Sequence, residues 1–157
     1  MTPLGFDPHN HAHCIRDAVA AAQDHCAAEG LHLTPVRRRV LELLLDRHRA
    51  MGAYDILDVL RAEGLGSQPP VAYRALEFLT KHGFAHRIER LNAFVACTHP
   101  AAPHDPAFLI CRKCEAVAET AADARLGRAA ADTGFHVEET VVEMQGLCPK
   151  CQDTDAP

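Results

Sequence analysis

The sequence predicts an α+β chain in two parts, and three observations lead there. Four stretches before residue 84 carry helical periodicity bounded by stop signals. A pair of short extended runs then meets around Leu91-Asn92, which reads as a hairpin. After a proline-rich gap, "THPAAPHDP", short strand-like runs flank one more helical stretch. Helices followed by a hairpin, then a small mixed unit, give the outline of a winged helix-turn-helix plus a small C-terminal α/β domain.

Each element has its local reason. "CIRDAVAAAQDHCAAEG" is alanine-rich and stopped by Gly30, so it reads as a helix. "LTPVRRRVLELLLDRH" offers Thr34 as N-cap and Pro35 at the first helical position. "AYDILDVLRAEG" is a short third helix closed by Gly64. "PPVAYRALEFLTKHG" is a fourth, entered through Pro69 and Pro70 and closed by Gly83. "FAHRIERLNAFVAC" supplies the hairpin. Beyond the gap, "AFLIC" and "AVAET" read as strands, a helix is expected near 121–133 before Gly134, and "FHVEETVVEMQ" reads as a last strand. The boundaries that follow are 1–97 for the winged-helix unit, with 1–13 a flexible histidine-containing tail, 98–106 for a hinge, and 107–157 for the small unit. That last unit is too small to bury much by itself, so it is expected to dimerise.

Composition narrows the class. The 157 residues carry a formal net charge of −5 and no tryptophan. Residues 1–90 balance 11 basic against 11 acidic side chains, whereas residues 91–157 set 5 against 10 and so carry the whole charge. Mild acidity argues against indiscriminate nucleic-acid binding and leaves room for a local basic face. No apolar run reaches membrane-spanning length, and the first residues lack the basic flank and apolar stretch of a secretion signal. A reducing, cytoplasmic setting is expected, where paired cysteines read as metal ligands more often than as disulfides.

On a helix at 100° per residue, Val71, Ala72, Ala75, Leu76, Phe78 and Leu79 share one face. Tyr73, Glu77, Thr80 and Lys81 share the other, with Arg74 towards its edge. The third helix turns Ile56, Leu57, Val59 and Leu60 inward and Tyr54, Asp58 and Arg61 outward. Two readings of the outward set stand. In one, the tyrosines lie flat on the surface and Asp58–Arg61 is an exposed ion pair of little value. In the other, Arg74 meets a guanine edge while Tyr54 and Tyr73 touch thymine methyls or phosphates. Periodicity does not decide between them.

Two Cys-x-x-Cys pairs, Cys111/Cys114 and Cys148/Cys151, are spaced so that each turn offers two sulfurs to one ion. Together they complete a tetrahedral shell, and the spacing favours structural zinc that clips the chain's end back to its first strand pair. Thiol redox switching and a rubredoxin-like iron site are the other readings. Further candidate ligands gather around the expected hinge: His86 on the hairpin, Cys97 and His99 at its end, His104 in the gap, and Glu119 just past the first cysteine pair. Ligands from both halves would couple metal occupancy to the orientation of the two units. His9, His11, His13 and Cys14 could capture metal too, although they read first as a disordered tail with incidental affinity; His136 is a further open candidate, and Cys26 reads as a small packing residue.

These motifs resemble the ferric-uptake-regulator family. "LTPVRRRVLELL", "AYDILDVLR", "PPVAYRALEFLTKHGFAHRIE", "FLICRKCEAVAE" and "GLCPKC" carry the likeness, from about residue 15 to 151. Within the family they are similar to its zinc-uptake-regulator branch. The resemblance implies a homodimeric, metal-dependent transcriptional repressor that binds double-stranded operator DNA, and no enzyme, membrane partner or small-molecule substrate. It implies two Zn2+ per subunit: structural zinc at Cys111, Cys114, Cys148 and Cys151, and regulatory zinc at His86, Cys97, His104 and Glu119. It places DNA contacts on Tyr54, Tyr73 and Arg74. Cys97 favours zinc, because a thiolate suits that ion while the family's iron sensors use harder ligands there. The family's fourth-helix pattern is Thr-Val-Tyr-Arg, whereas this chain has Val71-Ala72-Tyr73-Arg74, so the threonine hydroxyl and its phosphate contact are missing. The alternatives are an iron- or peroxide-sensing repressor of the same family and, from other classes, a thiol redox sensor or a small zinc enzyme. The last lacks any His-Glu-x-x-His, phosphate-loop or Gly-x-Ser-x-Gly signature.

Overall fold

The computed structural model describes residues 6, 11–46, 49–100 and 104–154. The chain divides into two compact units, one spanning Asp7–Ala102 and the other Pro103–Pro157 together with the segment containing Phe6.

The first unit holds α1 (His11–Ala28), α2 (Pro35–Leu45), α3 (Ala53–Ala62), α4 (Pro69–Lys81) and the hairpin β1 (Ala85–Ile88) and β2 (Ala93–Ala96). Helix α1 begins three residues before the stretch the sequence suggested, so His11, Ala12 and His13 belong to it and not to a tail. His13 reaches Asp17 one turn on, at 3.4 Å, a favourable i,i+4 pair that accompanies the earlier start. The expected tail residues 1–5 and 7–10 lie outside the described residues. Helix α2 starts as predicted: the Thr34 side chain accepts from the Arg37 N–H, with Pro35 in the first turn.

The core of this unit follows from the apolar faces. Ile56, Leu57 and Leu60 of α3 and Ala72, Ala75, Leu76 and Leu79 of α4 are buried against Val40, Leu41 and Leu44 of α2. Between the strands, Glu89–Leu91 form a 3-10 turn closed by Asn92 in the left-handed region at φ 46°, a conformation asparagine tolerates well. Met51 exchanges both backbone hydrogen bonds with Phe94, at 2.9 and 2.8 Å, and so ties the hairpin back to the segment before α3. Ala22 and Cys26 of α1 join the same cluster, so the result is four packed helices with a two-stranded wing.

The second unit contains β3 (Pro106–Cys111), β4 (Val117–Ala121), α5 (Arg125–Ala131), β5 (Glu143–Gly146) and α6 (Pro149–Gln152). Its sheet has the order β4-β3-β5, antiparallel on one side and parallel on the other. The last strand is much shorter than the run "FHVEETVVEMQ" suggested. Phe108 and Arg112 donate backbone N–H bonds to the Val142 and Gly146 carbonyls, two steps apart in a parallel ladder where every second β3 residue faces β5 with its N–H. The next donor in that series would be residue 106, which is a proline and has no N–H. The ladder stops there, and residues 135–142 lie outside any strand. Among the described residues no helix is long and apolar enough to cross a membrane.

Candidate metal centre and nucleic-acid interface

Backbone pairing brings the two cysteine pairs together. Cys111 ends β3 and stands opposite Gly146 in the parallel ladder, so β5 delivers Cys148 two residues later. The first pair turns tightly: Glu115 donates to the Cys111 carbonyl at 2.9 Å, and Cys111 donates to Ala116 at 2.9 Å. The second pair is a short helical turn, with Cys148 as the N-cap of α6 and the Cys151 N–H bonded to its carbonyl at 3.0 Å. Lys113 bridges the turns by donating to Thr154 Oγ1 at 2.9 Å.

The four sulfurs lie within 4.8 Å of one another, and Cys114 and Cys148 are 3.7 Å apart. All are free thiols. A tetrahedral zinc with Zn–S near 2.3 Å has sulfur–sulfur edges of about 3.8 Å, so the spacing fits an ion at the centre. The electrostatics fit too. Burial alone would push the Cys111 thiol up, but backbone N–H groups of Cys114, Cys148 and Lys113 directed at its sulfur bring it down to about 6. Cys151 goes the other way: burial, its sulfur neighbours and the charge on Cys111 push it up to about 12. A site that welcomes one thiolate and resists the next suits a divalent cation that neutralises both. Phe6, Ala116 and Leu147 pack around the cluster.

The turn carries one strained position. Glu115 is exposed and adopts φ 60°, where a side chain with a Cβ is disfavoured. Glu115→Gly should therefore stabilise this unit by up to about 1 kcal/mol, while Glu115→Val should cost about 1–2 kcal/mol. Thermal unfolding of the two variants checks the sign.

The remaining predicted ligands form a pair in each unit. In the first unit, His86 lies on β1 and Cys97 directly follows β2, with ligand atoms within 4.8 Å of each other. Cys97 is buried, its N–H is bonded to the Phe84 carbonyl at 2.9 Å, and its Sγ accepts the His99 N–H at 3.4 Å. In the second unit, His104 Nε2 and Glu119 Oε1 are 2.7 Å apart, and the Glu119 side chain on β4 is only 4% exposed. Each pair joins nitrogen to a thiolate or a carboxylate, a donor mixture suited to a first-row divalent metal. His99 bonds Thr98 through its ring, and His136 lies in the irregular segment after α5.

The predicted nucleic-acid residues share the surface of α3 and α4. Tyr54 is 65% and Tyr73 is 48% exposed, and Arg74 is exposed beside them. Asp58 and Arg61 form the solvent-exposed pair expected from spacing, at 3.3 Å, and Arg61 also donates to the Ser67 carbonyl at 3.0 Å. Arg61 thus braces the turn leading into α4. The sequence reading expected the second unit to dimerise without naming residues. Leu126, Phe135, Val141 and Met144 are exposed apolar side chains of that unit, and β5 is an edge strand of its sheet. No local pattern marks all four: Val141 and Met144 flank the charged Glu143, and Leu126 and Phe135 lie apart from them in the sequence.

Comparison with known proteins fits this arrangement. A family model described as "Ferric uptake regulator family" matches residues 28–145. The zinc uptake regulation protein of Escherichia coli (strain K12) is 38% identical over 145 residues, covering 90% of this chain and 85% of that protein. Among solved structures, "Zinc Uptake Regulator Complexed With Zinc AND DNA" superposes with a TM-score of 0.86 at 37% identity, covering 91% of this chain and 98% of the other. "Crystal structure of holo XcZur" gives a TM-score of 0.77 at 40% identity over 86% and 96% of the two chains. By sequence, site and fold, the chain belongs to the ferric uptake regulator family.

Proposed function

We propose that this chain is a zinc-responsive transcriptional repressor, a homodimer that binds operator DNA when its regulatory site is filled and so controls zinc uptake genes. The observation that carries the reading is the close match, over 91% of the chain, to a regulator solved with zinc and DNA. The donor set supports it: Cys97 is buried, and a cysteine sulfur ligand suits zinc better than ferrous iron.

Two zinc ions per subunit follow from the two donor sets. Cys111, Cys114, Cys148 and Cys151 form the structural set, and His86, Cys97, His104 and Glu119 the regulatory one. A zinc ion held by the regulatory set supplies a cross-link between residues that belong to different units. His86 and Cys97 are fixed to the wing, next to α4, so engaging them constrains the reading helix. Shifting such an equilibrium from about 1% to 99% closed needs a preference of about 5.5 kcal/mol for the closed state. Leu126, Phe135, Val141 and Met144 would be covered in the dimer, which presents two copies of α4 to half-sites about one helical turn apart. Tyr54, Tyr73 and Arg74 make the contacts, with Arg74 on a guanine edge. A repressor of chromosomal operators works in the cytoplasm, where its thiols stay reduced.

A gel shift on zinc-transporter promoters tests the reading, with zinc, with ferrous iron and with a chelator. Zinc should support a discrete complex that the chelator abolishes. Equal or better binding with ferrous iron would make the chain an iron sensor. In the same assay Arg74→Ala should weaken specific binding by about 1–3 kcal/mol per half-site with zinc content unchanged.

A further inference from the structure

We propose that Gln68 is a base-reading residue that recognises adenine from the amino-terminal end of α4, an inference that rests on the DNA-binding reading above. Gln68 occupies the N-cap of α4, with φ −104° and ψ 143°, yet its side chain makes no capping hydrogen bond. The reason is in the next three residues. An N-cap side chain normally accepts from the N–H of the second or third helical residue. Here the first two helical residues are Pro69 and Pro70, which have no N–H, and the Val71 N–H is bonded to the Gln68 carbonyl at 3.0 Å. No donor is left for the side chain to cap, and its amide stays exposed.

Stability alone does not explain a glutamine at this position. Thr34 at the start of α2 shows what a capping choice looks like in this chain. The turn that presents Gln68 is also fixed in place. Arg61 holds the Ser67 carbonyl at 3.0 Å. Gly66, at φ 150°, packs so closely on Val71 that an added Cβ would meet Val71 Cγ1 at 2.7 Å. An exposed amide on a braced turn, at the end of a helix whose outer face carries Tyr73 and Arg74, is placed as a reading group is.

The chemistry selects the base. A glutamine amide offers one donor and one acceptor side by side, which match N7 and N6–H of adenine in the major groove. Six residues separate Gln68 from Arg74, about 9 Å along the helix axis. The adenine should therefore lie within about three base pairs of the guanine that Arg74 reads.

The test uses the zinc-loaded full chain and an operator selected from a randomised duplex pool, followed by single base-pair substitutions. For the wild type, replacing one A·T pair at that distance from the Arg74-dependent guanine should weaken binding about tenfold. Gln68→Ala should lose the preference at that pair alone, with thermal midpoint and the other preferences retained. Gln68→Glu, which can only accept, should shift preference towards cytosine, whose N4 donates. The proposal is overturned if Gln68→Ala keeps the wild-type ranking of bases at every position. It also falls if the wild type selects no sequence at all, a result visible before any variant is made, which would count against the DNA-binding reading itself.

Discussion

Replacing Cys148 with serine should unfold the carboxy-terminal unit and dissociate the dimer. Among the described residues of that unit, the buried apolar ones are Ala107, Phe108, Ile110, Cys111, Val117, Ala118, Cys148 and Cys151, so three of these eight core positions are sulfurs of the cluster. Helix α5 contributes no buried side chain. Without an ion between its sulfurs, such a unit keeps little to oppose the entropy of its chain. Structural zinc in small domains supplies apparent binding energy of roughly 10–16 kcal/mol, as large as the whole stability of a typical domain. A serine at 148 removes one of four thiolates and leaves a hydroxyl that does not ionise near neutral pH. The expected result is loss of one zinc per chain, loss of the cooperative transition of this unit, and a monomeric species in sedimentation. A variant that keeps both its melt and its dimer would mean that the sulfurs pack as ordinary side chains. Strong chelation of the wild type should reproduce the loss, since in both cases the sulfurs lose their shared cation.

Local signals in this sequence were strong wherever structure is decided over a few residues. Thr34-Pro35 marked the start of α2, and Tyr73 and Arg74 fell on the open face of α4 because the buried residues there keep a 3.6-residue period. The cysteine pairs were legible as pairs, because two sulfurs three residues apart suit one ion. What brings the two pairs together was not legible. Their approach depends on β5 running parallel to β3 with Gly146 opposite Cys111, a register that no nearby residue announces. The shortness of β5 was hidden for the same reason: the limit is Pro106, thirty-seven residues before the strand begins at Glu143. Gln68 went unnoticed because an N-cap position invites a capping explanation, and only the hydrogen bonds show that it does not cap.

Cys97→Ser should have the opposite character, leaving a folded dimer that no longer responds to zinc. The fold does not depend on this sulfur. The Cys97 backbone is held by the Phe84 carbonyl at 2.9 Å, and the large apolar cluster of the first unit runs from Ala22 to Ala85 without including it. Serine is nearly isosteric, so the change should cost about 1 kcal/mol or less, within the range of mild substitutions. Donor chemistry is what the substitution removes. The sulfur lies buried with its ligand atom close to that of His86 and the His99 N–H directed at it at 3.4 Å. A serine hydroxyl provides neither the charge nor the soft ligand. Zinc content should fall from two ions per chain to one, and operator affinity in zinc should drop to that of the chelated wild type. If instead the variant unfolds, the sulfur is structural. If it binds its operator with undiminished zinc dependence, the sensing ligands lie elsewhere. Set beside Cys148→Ser, the pair of variants separates two roles for the same chemical group, one measured by folding and the other by DNA affinity in a protein that remains folded.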